Sequence, residues 1–272
     1  MGSQRKSASL RTAFRPLNIL VTLIYAFLLL PTLIVIPISF SPTGTLALSH
    51  PSLDLYRAFL GDSAWTDALG RSMIVAVCST AIAILTGVPA AFALNRVLRG
   101  RYRTFIGSFL NGTFVGPLVL PTVVIALGIY LLFSPLHVID SLYGLVFAHA
   151  AFIMPYVFVT ATSGLKQVEQ GAEVAARLMG ANWFTIFIRV TLPQMWHSVF
   201  SGALLAFLMS FDEVVIAWFI TGTSTQTLPV KMYSSIQWEV SPVLAAVSTV
   251  LTMGSLLICV AAFFSRSEKP IA

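Results

Sequence analysis

The stretch Leu17–Phe40, LNILVTLIYAFLLLPTLIVIPISF, contains no charged residue. About 20 apolar residues in helical form are enough to cross the hydrocarbon of a bilayer. The stretch follows Arg5, Lys6, Arg11 and Arg15, a layout shared with secretory leaders. It is too long for a leader's apolar core and no small-residue cleavage site follows it closely, so it reads as an uncleaved first span. Five more runs have the same character: Arg71–Leu94, Phe105–Phe133, Leu142–Leu165, Met195–Ile220 and Pro242–Phe264. Barrel strands alternate over about ten residues, whereas these runs are long and continuously apolar, so the spans are helices. The expected fold is all-α, a polytopic membrane protein of six transmembrane helices forming one domain.

Composition agrees. Hydrophobic residues make up 57% and charged residues 10% of the chain, with a mean hydropathy of +0.88. No soluble core hides that much apolar surface. The net charge of +6 comes from basic residues scattered among apolar runs, a pattern of membrane orientation and not of nucleic-acid binding. An inside N-terminus puts 13 of the 16 basic residues in cytoplasmic segments, leaving Arg57, Arg71 and Lys231 outside. That asymmetry predicts both termini in the cytoplasm. Cys78 and Cys259 sit in apolar runs without the Cys/His clusters of a metal site. No phosphate loop of the G-x-x-x-x-G-K-[ST] type and no H-E-x-x-H occurs, so the chain is expected to be non-catalytic, with no cofactor of its own.

Three local features add to this frame. In the outer segment Ser41–Gly70, Leu53–Leu60 is amphipathic and predicts a short interfacial helix. The third run is interrupted by Gly116, Pro117 and Pro121, which predicts a kink, and Gly112 with Gly116 forms a G-x-x-x-G suited to close helix packing. Between the fourth and fifth runs, residues 166–194 are too long for a simple turn. There Glu173–Met179 predicts a short helix closed by Gly180, with Ala175 and Ala176 leaving a low, flat surface, and Asn182–Val190 predicts a second, apolar helix.

In that loop, Ala175-Ala176, Gly180, Val190, Leu192 and Pro193 resemble the EAA loop of the permease subunits of type I ABC importers. The motif's glutamate position holds Val174, with Glu173 immediately before it. Ser210–Ile216, Thr227–Tyr233 and Ser241-Pro242 with Ala245–Thr249 extend the resemblance to the second permease subunit of polyamine-type importers. The resemblance implies a bacterial inner-membrane protein that forms half of a pathway for putrescine, spermidine or a related amine, opine or amino-phosphonate. It also implies three partners: a cytoplasmic ATPase dimer that holds ATP and Mg, a second homologous permease subunit and an extracytoplasmic solute-binding protein. Glu173, Ala175, Ala176, Arg177, Gly180 and Pro193 become the expected ATPase-coupling residues. A self-contained secondary transporter or channel is the alternative.

Asp212 and Glu213 lie within the fifth run, where an ionised carboxylate costs about 2.5–3.5 kcal/mol at the bilayer centre. As neighbours on a helix they would be about 100° apart. Either one of them serves a cationic amine in the pathway or both hold polar groups of neighbouring helices. Tyr130, Tyr156 and Trp218 are candidates for cation–π contact with an amine, or interface anchors. His149 and His197 read as ordinary polar contacts.

Overall fold

The structure, a computed structural model, describes residues 3–42, 50–98, 107, 109, 112–238 and 241–265. Arg99, Arg101, Arg103, Arg266, Lys269, the start of the third predicted span at Phe105, and residues 43–49 and 239–240 of the outer segments lie outside the described residues.

Among the described residues every regular element is helical. In chain order these are α1 (Ser3–Ser39), α2 (Asp54–Gly61), α3 (Ser63–Phe92) and α4 (Gly112–Leu118). Then come α5 (Thr122–Phe133), α6 (Leu142–Leu165), α7 (Gln170–Leu178), α8 (Trp183–Ile186) and a single turn, α9 (Leu192–Gln194). The last four are α10 (Trp196–Phe211), α11 (Val215–Ile220), α12 (Leu228–Trp238) and α13 (Val243–Ser265). Two π-helical turns, Ala93–Val97 after α3 and Phe187–Thr191 after α8, complete the set. Three of the described helices are long and apolar enough to cross a membrane, or four when the bent pair α4 and α5 is taken as one span.

Two predicted spans are not continuous helices. The third turns through 118° between α4 and α5, where Pro121 has no N–H to give. The fifth stops at Phe211 and restarts at Val215, so Asp212 and Glu213 stand in a break and not 100° apart on one helix. The predicted helix Asn182–Val190 is one α-turn followed by a π-turn.

The chain divides into two compact units, residues Met1–Thr66 with Ser235–Ala272, and Asp67–Ser234. In the first, α1 and α2 both pack on α13. The amphipathic α2 buries Leu55 and Phe59, while Asp54 and Arg57 pair on its exposed face at 3.2 Å. Tyr56 fixes α2 to the end of α1: its hydroxyl meets Ser39 Oγ at 2.7 Å and its ring lies 5.4 Å from that of Phe40. Leu20, Leu23, Phe27 and Leu30 on α1 are all exposed, as expected of a surface whose solvent is lipid.

In the second unit α6 is central, with Leu145, Ile153, Val157, Phe158 and Leu165 fully buried. Small residues let neighbouring backbones approach it. A Cβ on Gly87 of α3 would lie 3.3 Å from Val157 Cγ1. One on Gly164 would lie 2.5 Å from Ser198 Cβ on α10, and one on Gly202 of α10 would run into the Thr160 hydroxyl. The close approaches are therefore on α3, α6 and α10; among the described residues nothing lies within 4 Å of a Cβ built on Gly112 or Gly116. Inside this packing Ser210 Oγ meets Ser79 Oγ and His149 Nδ1, both at 2.9 Å, a polar chain linking α3, α6 and α10. Gly202→Leu is expected to force α6 and α10 apart and to destabilise the purified chain by about 1–3 kcal/mol, the range for overpacking. A thermal-unfolding series in detergent measures this, with Gly112→Leu as the neutral control.

Candidate functional site

The loop between α6 and α10 is built locally. Helix α7 carries Glu173 in its first turn and Arg177 in its last, each sign favourable to the helix dipole. It ends in a Schellman closure: Gly180 N–H donates to Arg177 O at 3.0 Å and Ala181 N–H to Ala176 O at 3.1 Å. Gly180 adopts φ +88°, a conformation that costs any residue with a Cβ. Asn182 then caps α8, its side-chain oxygen accepting from Thr185 N–H at 2.8 Å.

The two faces of α7 differ in chemistry. Glu173 and Ala176 point inward and are buried. Glu173 Oε2 lies 2.9 Å from Arg96 Nε, an ion pair without the alignment of a hydrogen bond, and Oε1 accepts from the Thr191 hydroxyl at 2.8 Å. Arg96 Nη2 also donates to Leu165 O at 2.7 Å, closing the last turn of α6. Beside this network Phe92 packs on Trp183 and Phe187, with ring centres 6.1 and 4.9 Å apart, and the Arg177 guanidinium lies 4.2 Å over the Trp183 ring. Val174, Ala175, Leu178 and Met179 face outward, joined by Phe184, and Leu178 and Met179 are more than 80% exposed. A cleft of about 250 Å³ opens between the π-turn after α3 and α7, lined by Asn95, Arg96, Gln170, Val174, Arg177 and Trp183. Pro193 is exposed on α9.

The expected coupling residues therefore separate. Ala175, Arg177, Gly180 and Pro193 are at the surface, whereas Glu173 and Ala176 are not, so the two alanines do not form one flat outer surface. The reason is periodic: neighbours on a helix point about 100° apart.

The candidate pathway residues also separate. Glu213 is buried and accepts from the N–H groups of Val215, Ile216 and Ala217 at 3.0, 2.7 and 3.2 Å, capping α11. Asp212 closes α10 and its side chain is exposed. Trp218 packs edge-on against Tyr233 at 5.1 Å, and Tyr130 against Phe219 at 6.4 Å. No described contact brings Asp212, Tyr130 and Trp218 together.

Sequence reasoning missed three anchors. Arg96 and Thr191 complete the Glu173 network from distant stretches of chain. Asp140, in the loop before α6, accepts from Gly222 N–H at 2.9 Å, Thr225 N–H at 3.2 Å and the Thr225 hydroxyl at 2.6 Å. Its backbone sits at φ 54°, and Arg71 and Ser72 hold the far end of the same loop through Gln226 O and Leu228 N–H. Asp140 and the stretch Gly222, Ser224 and Thr225 are turn-forming residue types that mark two loops but do not pair them.

Glu173→Ala would leave the partly buried Arg96 without its counter-charge, and a loss of up to about 3 kcal/mol, the lower end for a broken buried pair, is expected in the unfolding of the purified chain. At the other end, the Thr225 hydroxyl above all, opposed by burial and helped by the Gly222 and Ser224 groups, holds the Asp140 carboxyl below its ordinary value. Its contribution is complete above the unfolded-state value and is lost as pH falls through the lower folded one. Protection of the Gly222 and Thr225 amides, taken relative to their intrinsic exchange rates, should therefore hold at neutral pH and fall only below the ordinary carboxylate range, while Asp140→Ala should lower it at every pH.

Comparison with known proteins agrees with this architecture. Residues 83–269 match the family described as binding-protein-dependent transport system inner membrane component. The chain is 32% identical to the spermidine/putrescine transport system permease protein PotC of Escherichia coli (strain K12), over 92% of this chain and 93% of that protein. It is likewise 32% identical to the putrescine transport system permease protein PotI of the same strain, over 93% and 92%. Among solved structures, a bacterial ABC transporter involved in the import of the acidic polysaccharide alginate has a chain matching 99% of this one over 99% of its own length, with a TM-score of 0.72 at 15% identity. That likeness concerns the fold alone. The helical fold with its structured α6–α10 loop is that of an ABC importer permease, and the chain belongs to the family of binding-protein-dependent transport system inner membrane components.

Proposed function

We propose that the chain is one half of the membrane pathway of an ATP-driven importer for a small polyamine such as putrescine or spermidine. The observation that carries this is similarity along nearly the whole chain to two permeases both named for polyamines. The exposed apolar face of α7 supports docking to a cytoplasmic ATPase dimer, which would hold ATP and Mg: surface of that kind is costly in open cytosol and apt for a partner's groove. A second permease subunit completes the pathway, and an extracytoplasmic binding protein delivers the solute. Six spans with both termini inside fit the charge asymmetry of the sequence and the positions of α1, α3, α4–α5, α6, α10–α11 and α13. A self-contained secondary transporter or channel is not favoured by the relatives.

Of the two acids, Asp212 is the one free to meet a cationic amine, because the Glu213 carboxylate is occupied by backbone N–H groups. Uptake of radiolabelled putrescine and spermidine into proteoliposomes holding the assembled complex tests the proposal. ATP-dependent uptake is expected, lowered about tenfold by Asp212→Asn at unchanged protein level, as for loss of one charged contact of about 1.4 kcal/mol. Glu213→Gln should instead lower the amount of folded protein. Uptake without the ATPase subunit, or hydrolysis that never moves amine, would sink the reading.

A further inference from the structure

Glu173 lies in the motif expected to touch the ATPase, yet its carboxylate faces the other way. One oxygen meets Arg96, which belongs to the π-turn Ala93–Val97, and the other meets Thr191, which ends the π-turn Phe187–Thr191. Arg96 also holds Leu165 O at the end of α6. One buried acid thus ties α7 to the ends of α3 and α6 and to the turn that leads through α9 into α10. Side-chain exposure is 14% for Arg96 and 7% for Glu173, so water screens the pair little. Both attachments are to π-turns, single-turn irregularities that recur at functional sites. Meanwhile Val174, the residue at the motif's acid position, is exposed beside the cleft that Gln170 and Arg177 also line, and has no charge with which to pull on a partner.

We propose that Glu173, Arg96 and Thr191 are positioning residues that make α7 move as one body with the inner ends of α3, α6 and α10, so that displacement of α7 reaches the outer loops. The partner is gripped by the apolar outer face; the inward ion pair carries the displacement onward. This rests on the reading of α7 as the ATPase-docking helix. Loss of the ion pair leaves docking and hydrolysis in place and disconnects them from the far side of the membrane.

The test uses the full chain in its assembled complex with Cys78→Ser, Cys259→Ser and Thr223→Cys, the last at an exposed site of the outer loop. Labelling of the introduced thiol by a membrane-impermeant maleimide is timed without nucleotide and with ATP plus vanadate, beside hydrolysis per assembled complex. With the native triad the two labelling rates should differ by about fivefold or more, the lower end of couplings between distant sites. In Glu173→Gln and in the milder Thr191→Val the difference should fall below about twofold, with hydrolysis per complex held within about twofold. A nucleotide-dependent difference kept in both variants overturns the proposal, as does a native complex whose labelling ignores nucleotide. So does a loss that follows hydrolysis and assembled complex downward together, which marks a contact that only stabilises the fold. Nucleotide-dependent labelling with no amine uptake by the native complex leaves this inference standing and overturns the polyamine reading.

Discussion

Backbone N–H and C=O groups have no water to turn to inside a bilayer, so a helix that stops there must find its partners within the protein. This constraint governs where the chain places its few polar side chains. Glu213 supplies a carboxylate to three N–H groups at the start of α11, directly after the break that ends α10. Arg96 donates to the Leu165 carbonyl at the end of α6, and Ser141 accepts from Gly144 N–H at its beginning. Polar residues in and beside the apolar runs therefore first serve the ends of helices. The insertion cost of Glu213 is offset by bonds that the same break makes available, which is why an acid and a broken helix occur together.

The breaks also set the packing. Because α6 runs unbroken from Leu142 to Leu165, it is the element against which interrupted neighbours settle: α10 and α11 on either side of their break, and α5 after the sharp turn at Pro121. Close approach at Gly87, Gly164 and Gly202 keeps this framework tight, and the Ser79–Ser210–His149 chain gives it register, since a hydroxyl displaced by one turn would lose both partners. The π-turn after α8 meets the end of α3, where the Phe92 and Phe187 rings lie 4.9 Å apart.

What was legible in the sequence is what depends on neighbours along the chain. Among the described residues the apolar runs hold helix, broken in the third and fifth, and α6 matches its run from Leu142 to Leu165. The closure of α7 was legible because Gly180 and Asn182 act within a few residues of themselves. Hydropathy does not register the break at Asp212–Val214, because Val214 and Val215 continue the apolar run across it. The partners of Glu173 and Asp140 were illegible for another reason. Arg96 and Asp140 are each far in sequence from the groups they meet: the ends of α3 and α7 must come together for the first, and α11 must pack on α5 and α6 for the second.

The pair Glu173 and Val174 shows how much one position on a helix decides. An acid on the outer face of α7 would be solvated and screened, and its attraction to any partner correspondingly weak. Turned inward, it meets Arg96 and Thr191 out of water, where direction and distance are strictly enforced. The outer face then carries Val174, Leu178 and Met179, whose burial gives affinity without fixing geometry. Grip on the proposed partner and transmission of its movement are thereby assigned to different residues of one short helix, and a substitution that weakens one function need not touch the other.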